Sequence, residues 1–238
     1  MQRLPLARLA RTDEAEAGKA LQQKRLGYIM KERIISRVAA MFAKHGVKTV
    51  RMDDVAEELG VSKRTLYELF GDKETLVREC MIYKYTRGGE TISAMIANAG
   101  NVMEEIFILM QYMRETCDEA HVRLTEEIRK YYPAVAEELA RIADKNLWTG
   151  MRSMITRGME QGVLRPGTST DMLVAVFSYL FDRNFIEMLG FKYNISRMEA
   201  FEFLSVMFMR GAATPEGAEI IDRLESEKFR PDGDAGRK

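Results

Sequence analysis

Residues 51–70, RMDDVAEELGVSKRTLYELF, decide the fold. Val55, Ala56 and Leu59 fall at helical spacing, and Leu66, Leu69 and Phe70 do so again, so two short helices each offer an apolar stripe to a shared small core. Ala56 is small where two helices must cross closely. Gly60 follows the first stripe, where a left-handed residue ends a helix without a Cβ penalty. Val61 is expected to plug the core under the turn, and Ser62 to accept a backbone N–H as N-cap of the next helix. Lys63, Arg64, Thr65 and Tyr67 then occupy the first turns. An ordinary helical hairpin shares the Gly and Ser caps, but its second helix would open apolar. This one opens basic, polar and aromatic, and the spacing predicts a helix-turn-helix whose second helix lies in the DNA major groove.

Outward from this motif the pattern stays helical. A first helix is expected from Lys24 to Lys44, with Ile34, Ile35, Val38, Met41 and Phe42 inward and Gly46 as its stop. Asp72 is placed to cap a helix that carries Leu76, Cys80 and Tyr83 and is expected to break at Gly88–Gly89 or shortly after. Asn101–Thr116 and residues 122–131 read as helices, and Pro133 suits the first position of a long helix to about Gln161, closed by Gly162 and Arg165–Pro166–Gly167. Asp171–Gly190 and Met198–Met209 are apolar almost all round, which requires burial on more than one face, and the helices that hold them are expected at 169–190 and 196–211. A short amphipathic helix runs through Ile220, Ile221 and Leu224. Residues 1–23 read as an extension without stable structure, its Arg3, Arg8 and Arg11 able to follow a DNA groove as basic arms do. The tail PDGDAGRK is expected to be disordered.

Segment 34–76 resembles the N-terminal domain of TetR-family transcriptional regulators: Phe42 and Gly46 closing a helix, then D-V-A at 54–56, G-V-S-K-x-T-L-Y at 60–67, Phe70, and D-K-x-x-L at 72–76. The resemblance covers about a fifth of the chain. It implies an all-α fold, with a helix-turn-helix domain at 24–72, a helical effector-binding and dimerisation domain at 73–213, and a short helix and tail at 214–238. Carried over by position, Thr49, Arg51, Ser62, Lys63, Arg64, Thr65, Tyr67 and Lys73 form the DNA-binding set. Lys63, Arg64 and Thr65 would face bases and nearby phosphates, Tyr67 and Thr65 the backbone, and Lys73 a phosphate through its side chain and the amides of its helix. Two positions depart from the family pattern. Arg51 stands where a capping Ser or Thr is usual, and Arg64 where a small residue is common.

The resemblance also implies a four-helix dimer interface from the last two long helices, with Leu173, Val176, Phe177, Leu180, Phe181, Phe201, Leu204 and Phe208 as its candidates. Seventeen methionines are a high count, and flexible thioethers suit an adaptable apolar pocket. Met103, Phe107, Met110, Tyr112, Met113, Trp148 and Met151 are the candidate effector contacts, although methionine at helical spacing also serves as core filler. The implied partners are a double-stranded operator, a second copy of the chain and a small apolar or amphipathic effector.

Composition narrows the alternatives. The 238 residues carry 46% apolar side chains, enough for a substantial core, and 36 basic residues balance 36 acidic ones. Locally, Lys24 to Lys73 holds eleven Lys and Arg against seven Asp and Glu, a modest basic patch on a neutral protein. Cys80 and Cys117 are isolated and fit neither a zinc site nor a disulfide scaffold. The longest apolar run, Met172–Phe181, is too short to span a bilayer and no signal peptide opens the chain, so the expected location is the cytoplasm. His45 and His121 show no ligand spacing, and Glu126–Glu127 and Glu137–Glu138 read as solvated faces. No cofactor motif and no nucleophile paired with a base appears, so an enzyme is not expected. A DNA-binding protein without an effector remains the alternative, favoured by a tightly packed core over a well-formed pocket, and a helical enzyme is the third reading, to be chosen by turnover without DNA binding.

Overall fold

The computed structural model describes residues 27–116, 119–180 and 183–228. The extension at 1–23, Cys117, Phe181 and the PDGDAGRK tail lie outside them. The elements are α1 (27–45), α2 (Met52–Leu59), α3 (Lys63–Phe70), α4 (Lys73–Ile96), α5 (Val102–Thr116), α6 (Glu119–Tyr131), α7 (Pro133–Glu160), α8 (Thr170–Leu180), α9 (Arg183–Tyr193), α10 (Arg197–Ala212) and α11 (Pro215–Lys228). The chain divides into two compact units: residues to Thr86 with Arg123–Val135, and Arg87–Val122 with the chain from Ala136 onward.

In the first unit most of the predicted inward residues are buried, Ile34, Ile35, Val38 and Phe42 of α1, Val55 of α2, and Leu66 and Phe70 of α3, while Met41, Ala56, Leu59 and Leu69 are half-buried. Val61 is only half-buried. The first half of α4 adds Leu76, Val77, Cys80 and Met81, and the later part of α6 adds Leu124 and Ile128. These contributions explain why the division differs from the expected boundary between Asp72 and Lys73. A core of three short helices is small, and α4 and α6 enlarge it. Lys31 on α1 ties to Glu79 on α4 at 2.7 Å. Cys80 donates its thiol to the Ile35 carbonyl at 3.6 Å, and burial pushes its pKa up, so it is a packed thiol rather than a reactive one.

The second unit packs around Val102, Met103 and Met110 of α5, Met151 and Ile155 of α7, Val174 and Phe177 of α8, Met209 of α10 and Ile221 of α11. The loop after α7 is closed by an antiparallel bridge between Leu164 and Ala213, with Arg165 N donating to Ala212 O at 2.9 Å and Thr214 N to Val163 O at 3.1 Å. Gly217 is needed there, because a Cβ would lie 2.1 Å from the Val163 carbonyl oxygen. α10 begins with a capping box in which Ser196 accepts from Glu199 N at 3.1 Å and Glu199 accepts from Ser196 N at 2.6 Å.

α4 does not break at Gly88–Gly89 but continues to Ile96, since a helical glycine costs only about 1 kcal/mol relative to alanine and the helix on either side absorbs it. A Cβ at Gly88 would stand 3.2 Å from the Tyr112 hydroxyl oxygen, so the residue permits a close approach rather than a stop. The helix expected at 169–190 is helical on both sides of residues 181–182, which lie outside the described residues, and α9 runs on to Tyr193.

Candidate nucleic-acid interface

The turn between α2 and α3 forms by local chemistry. Gly60 takes φ 63° and ψ 32°, the left-handed conformation, and its N–H donates to Glu57 O at 3.2 Å while Val61 N donates to Ala56 O at 3.0 Å. Ser62 is extended and its Oγ accepts from Thr65 N at 3.0 Å. Arg51 caps α2 without a side-chain bond, as a guanidinium has no acceptor to offer. Asp54 supplies the reverse half, accepting from Arg51 N at 2.7 Å.

These caps leave one face of α3 open. Ser62, Lys63, Arg64, Tyr67 and Glu68 are exposed and Thr65 half-buried, while Leu66 and Phe70 turn inward. Thr49 and Arg51, from the α1–α2 connection, are exposed as well. The cationic groups are not loose. Lys63 Nζ lies 2.7 Å from Asp53 Oδ1, and that hydrogen bond and charge hold its pKa above the ordinary lysine value. Arg64 Nε donates to Glu68 Oε1 at 2.8 Å.

Lys73 differs from the sequence expectation. Its Nζ donates to the Val47 carbonyl at 2.6 Å, part-buried, and burial lowers its pKa. The side chain braces the α1–α2 connection instead of standing free for a phosphate. Thr75 N, one of the amides at the start of α4, is taken by Asp72 Oδ1 at 2.7 Å. Glu127, read as solvated face, accepts from Lys48 N at 3.1 Å, and its carboxylate lies against Gly46, whose φ is 81°. The Glu127 contact had no sequence signal, because its partner is 79 residues away. The Arg64–Glu68 pair did, at i,i+4 spacing.

The effector candidates occupy buried, half-buried and exposed positions. Met103, Met110 and Met151 are core residues and Phe107 packs against them, so the filler role describes them. Tyr112 and Met113 are half-buried and Trp148 is exposed. Of the set, only Trp148 lines the open groove of about 420 Å³ along α7, with Thr149, Arg152, Ser153, Thr156 and Arg157. Arg157 makes a two-pronged ion pair with the buried Glu105 of α5, and Arg152 pairs with Asp171.

The interface candidates separate into two groups. Phe177 is buried in its own unit's core, where Phe208 meets it edge-on at 5.3 Å between ring centroids, and Leu173 and Phe201 pack against the same core. Leu180 and Leu204 are half-buried, and Val176 is exposed. Besides Val176, the outward apolar residues are others: Met172 and Tyr179 flank it on α8, and Phe203 and Met207 stand one turn apart on α10. A nearly all-apolar helix conceals which stripe faces its own core.

Among the described residues no helix is long and apolar enough to cross a membrane, and no group of three or more His, Cys, Asp or Glu could hold a metal ion. No curated protein sequence matches the chain. Residues 34–80 match the family model for bacterial regulatory proteins of the tetR family. Among solved structures, a putative transcriptional regulator from Saccharomonospora viridis in complex with choline is similar at 20% identity and TM-score 0.60, over 79% of this chain and 99% of that one. TetR-family regulators from Cytophaga hutchinsonii, at 16% identity and TM-score 0.61 over 79% and 96% of the two chains, and from Pectobacterium atrosepticum, at 17% and 0.60 over 80% and 97%, share the fold as well. Residues 34–80, with an exposed, capped second helix to their turn, thus match the N-terminal domain of tetR-family bacterial regulatory proteins, and the chain shares the fold of these solved regulators.

Proposed function

We propose that the chain is a homodimeric repressor that holds a palindromic operator and leaves it when a small apolar or amphipathic effector binds. The observation that carries the DNA half is the α3 face, where Lys63, Arg64 and Tyr67 are exposed on a helix anchored by Leu66 and Phe70. Thr49 and Arg51 add backbone contacts beside it, and Lys73 contributes by fixing their connection. Two-fold symmetry follows from helix-turn-helix geometry, in which dimers address half-sites about 34–36 Å apart. The exposed apolar residues Met172, Val176, Tyr179, Phe203 and Met207 support a second copy of the chain as their cover.

The α7 groove supports an amphipathic effector over a purely apolar one. Trp148 offers an aromatic wall, Arg152 and Arg157 offer donors, and Thr156, whose hydroxyl donates to the Arg152 carbonyl, offers an acceptor. Release then follows from linkage: the effector binds better to the geometry in which the two α3 helices miss successive grooves, and the coupling equals that difference in affinity. The test is selection of bound fragments from a random DNA pool. Enrichment of an inverted repeat with one turn between half-sites is expected; enrichment of a single half-site or of no sequence would overturn the dimeric operator model.

A further inference from the structure

Arg64 and Glu68 stand one turn apart on the outward face of α3, joined by the 2.8 Å bond from Nε to Oε1. Their side chains are 88% and 59% exposed, so burial does not impose the contact. A solvent-exposed i,i+4 pair adds little to the helix itself. Its effect lies in what it leaves available. Among the described residues neither side chain has a second hydrogen-bond or ion-pair partner, so the two terminal nitrogens of Arg64 and Oε2 of Glu68 all remain for a ligand.

We propose that Glu68 is a positioning residue for base reading: it holds the Arg64 guanidinium so that the two terminal nitrogens meet O6 and N7 of one guanine in each half-site. This rests on the reading that α3 enters the major groove. A guanidinium is planar and offers two donor forks, one through Nε and one through the terminal nitrogens. Glu68 occupies the first and leaves the second. Guanine is the base that presents two acceptors side by side on its major-groove edge, whereas adenine sets a donor beside its acceptor. An unrestrained arginine would also settle on phosphates, which carry no sequence information. The Glu68 carboxylate opposes that, because any register that brings it against the backbone sets like charges together, while Oε2 can accept from a cytosine amino group beside the guanine. Lys63 is also paired, to Asp53, but an ammonium has no fixed fork, so that bond confers no comparable preference.

The test uses full-length protein and duplexes that carry the selected operator, the same operator with each alternative base at every half-site position, and random sequence at fixed salt. Wild type, Glu68→Gln, Glu68→Asp, Arg64→Ala and the Arg64→Ala/Glu68→Gln double variant are compared, with circular dichroism to show that each is folded. Glu68→Gln should lower the guanine preference at one position about tenfold while random duplex binds more tightly. Glu68→Asp keeps the charge but shortens the reach, so it should lose the preference without gaining affinity for random duplex. In the Arg64→Ala background, Glu68→Gln should leave base preference unchanged. Equal tightening on every duplex with preference intact would reduce Glu68 to a charge and overturn the proposal. So would a Glu68→Gln effect on preference that persists without Arg64. If the wild-type protein selects no sequence, the groove reading of α3 itself fails, a result distinguishable from both.

Discussion

Replacing Gly46 by alanine should destabilise the protein by about 2 kcal/mol, and the reasons can be separated. Gly46 holds φ at 81°, and an L-residue in that left-handed conformation costs roughly 1–2 kcal/mol. Fewer unfolded conformations return about 0.4–1 kcal/mol of this. A Cβ would also lie 2.5 Å from Oε2 and 2.7 Å from Oε1 of Glu127, closer than any real contact. The Glu127 side chain must therefore swing away, and the bond it accepts from Lys48 N is lost. That bond is exposed, so water replaces much of it and the loss is about 1 kcal/mol. Glu127→Ala alone should cost that last amount, and the double variant should cost no more than Gly46→Ala, since both changes delete the same bond. Urea midpoints for the four proteins measure this, and operator affinity should fall with stability because Thr49 and Arg51 follow directly in the chain. Strict additivity in the double variant, or a Gly46→Ala midpoint equal to wild type, would refute the coupling.

Three further outcomes are expected. Lys73→Met should lower the stability measured by urea unfolding by about 1 kcal/mol through loss of the bond to Val47 O, with the slope of log affinity against log salt unchanged; a slope shallower by about one unit per half-site would return the side chain to a phosphate. Met207→Asp, at an exposed apolar position, should cost the dimer about 3 kcal/mol and keep its helicity, as read by sedimentation and circular dichroism together; an undisturbed dimer would place the interface elsewhere. Hydrogen bonds from Thr75 N to Asp72 and from Ser196 N to Glu199 hold both carboxyl pKa values below the ordinary 3.8 and 4.5. Their stabilisation is complete above those values and is lost as pH falls through the lower folded ones, so Glu199→Gln should flatten the fall in stability between about pH 5 and pH 3; an unchanged acid limb would show the cap to be without effect.

The turn between α2 and α3 was legible because every device in it is local: the left-handed Gly60, the Ser62 cap and the two apolar stripes each act within a few residues. Glu199 is equally readable, standing three residues after Ser196 at the capping-box spacing. What failed to show was partnership at a distance. Nothing near Gly88 in sequence announces Tyr112, and nothing near Glu127 announces Lys48. Likewise Phe177 and Val176 are neighbours with the same hydropathy, yet one is core and the other surface. Alternation of buried and exposed stripes cannot be read where both are apolar.

The first unit is discontinuous: the chain leaves it after Thr86, re-enters at Arg123 and leaves again after Val135. Genetic exchange between relatives therefore meets a constraint. A single crossover after residue 72 would carry α2 and α3 into a new protein but abandon Leu76, Val77, Cys80, Leu124 and Ile128, the rest of the same core. Reading heads of this build are inherited intact only through matched pairs of breakpoints, or by substitution confined to the outward face of α3. New DNA specificity should accordingly accumulate there by point change more readily than by the shuffling of whole domains.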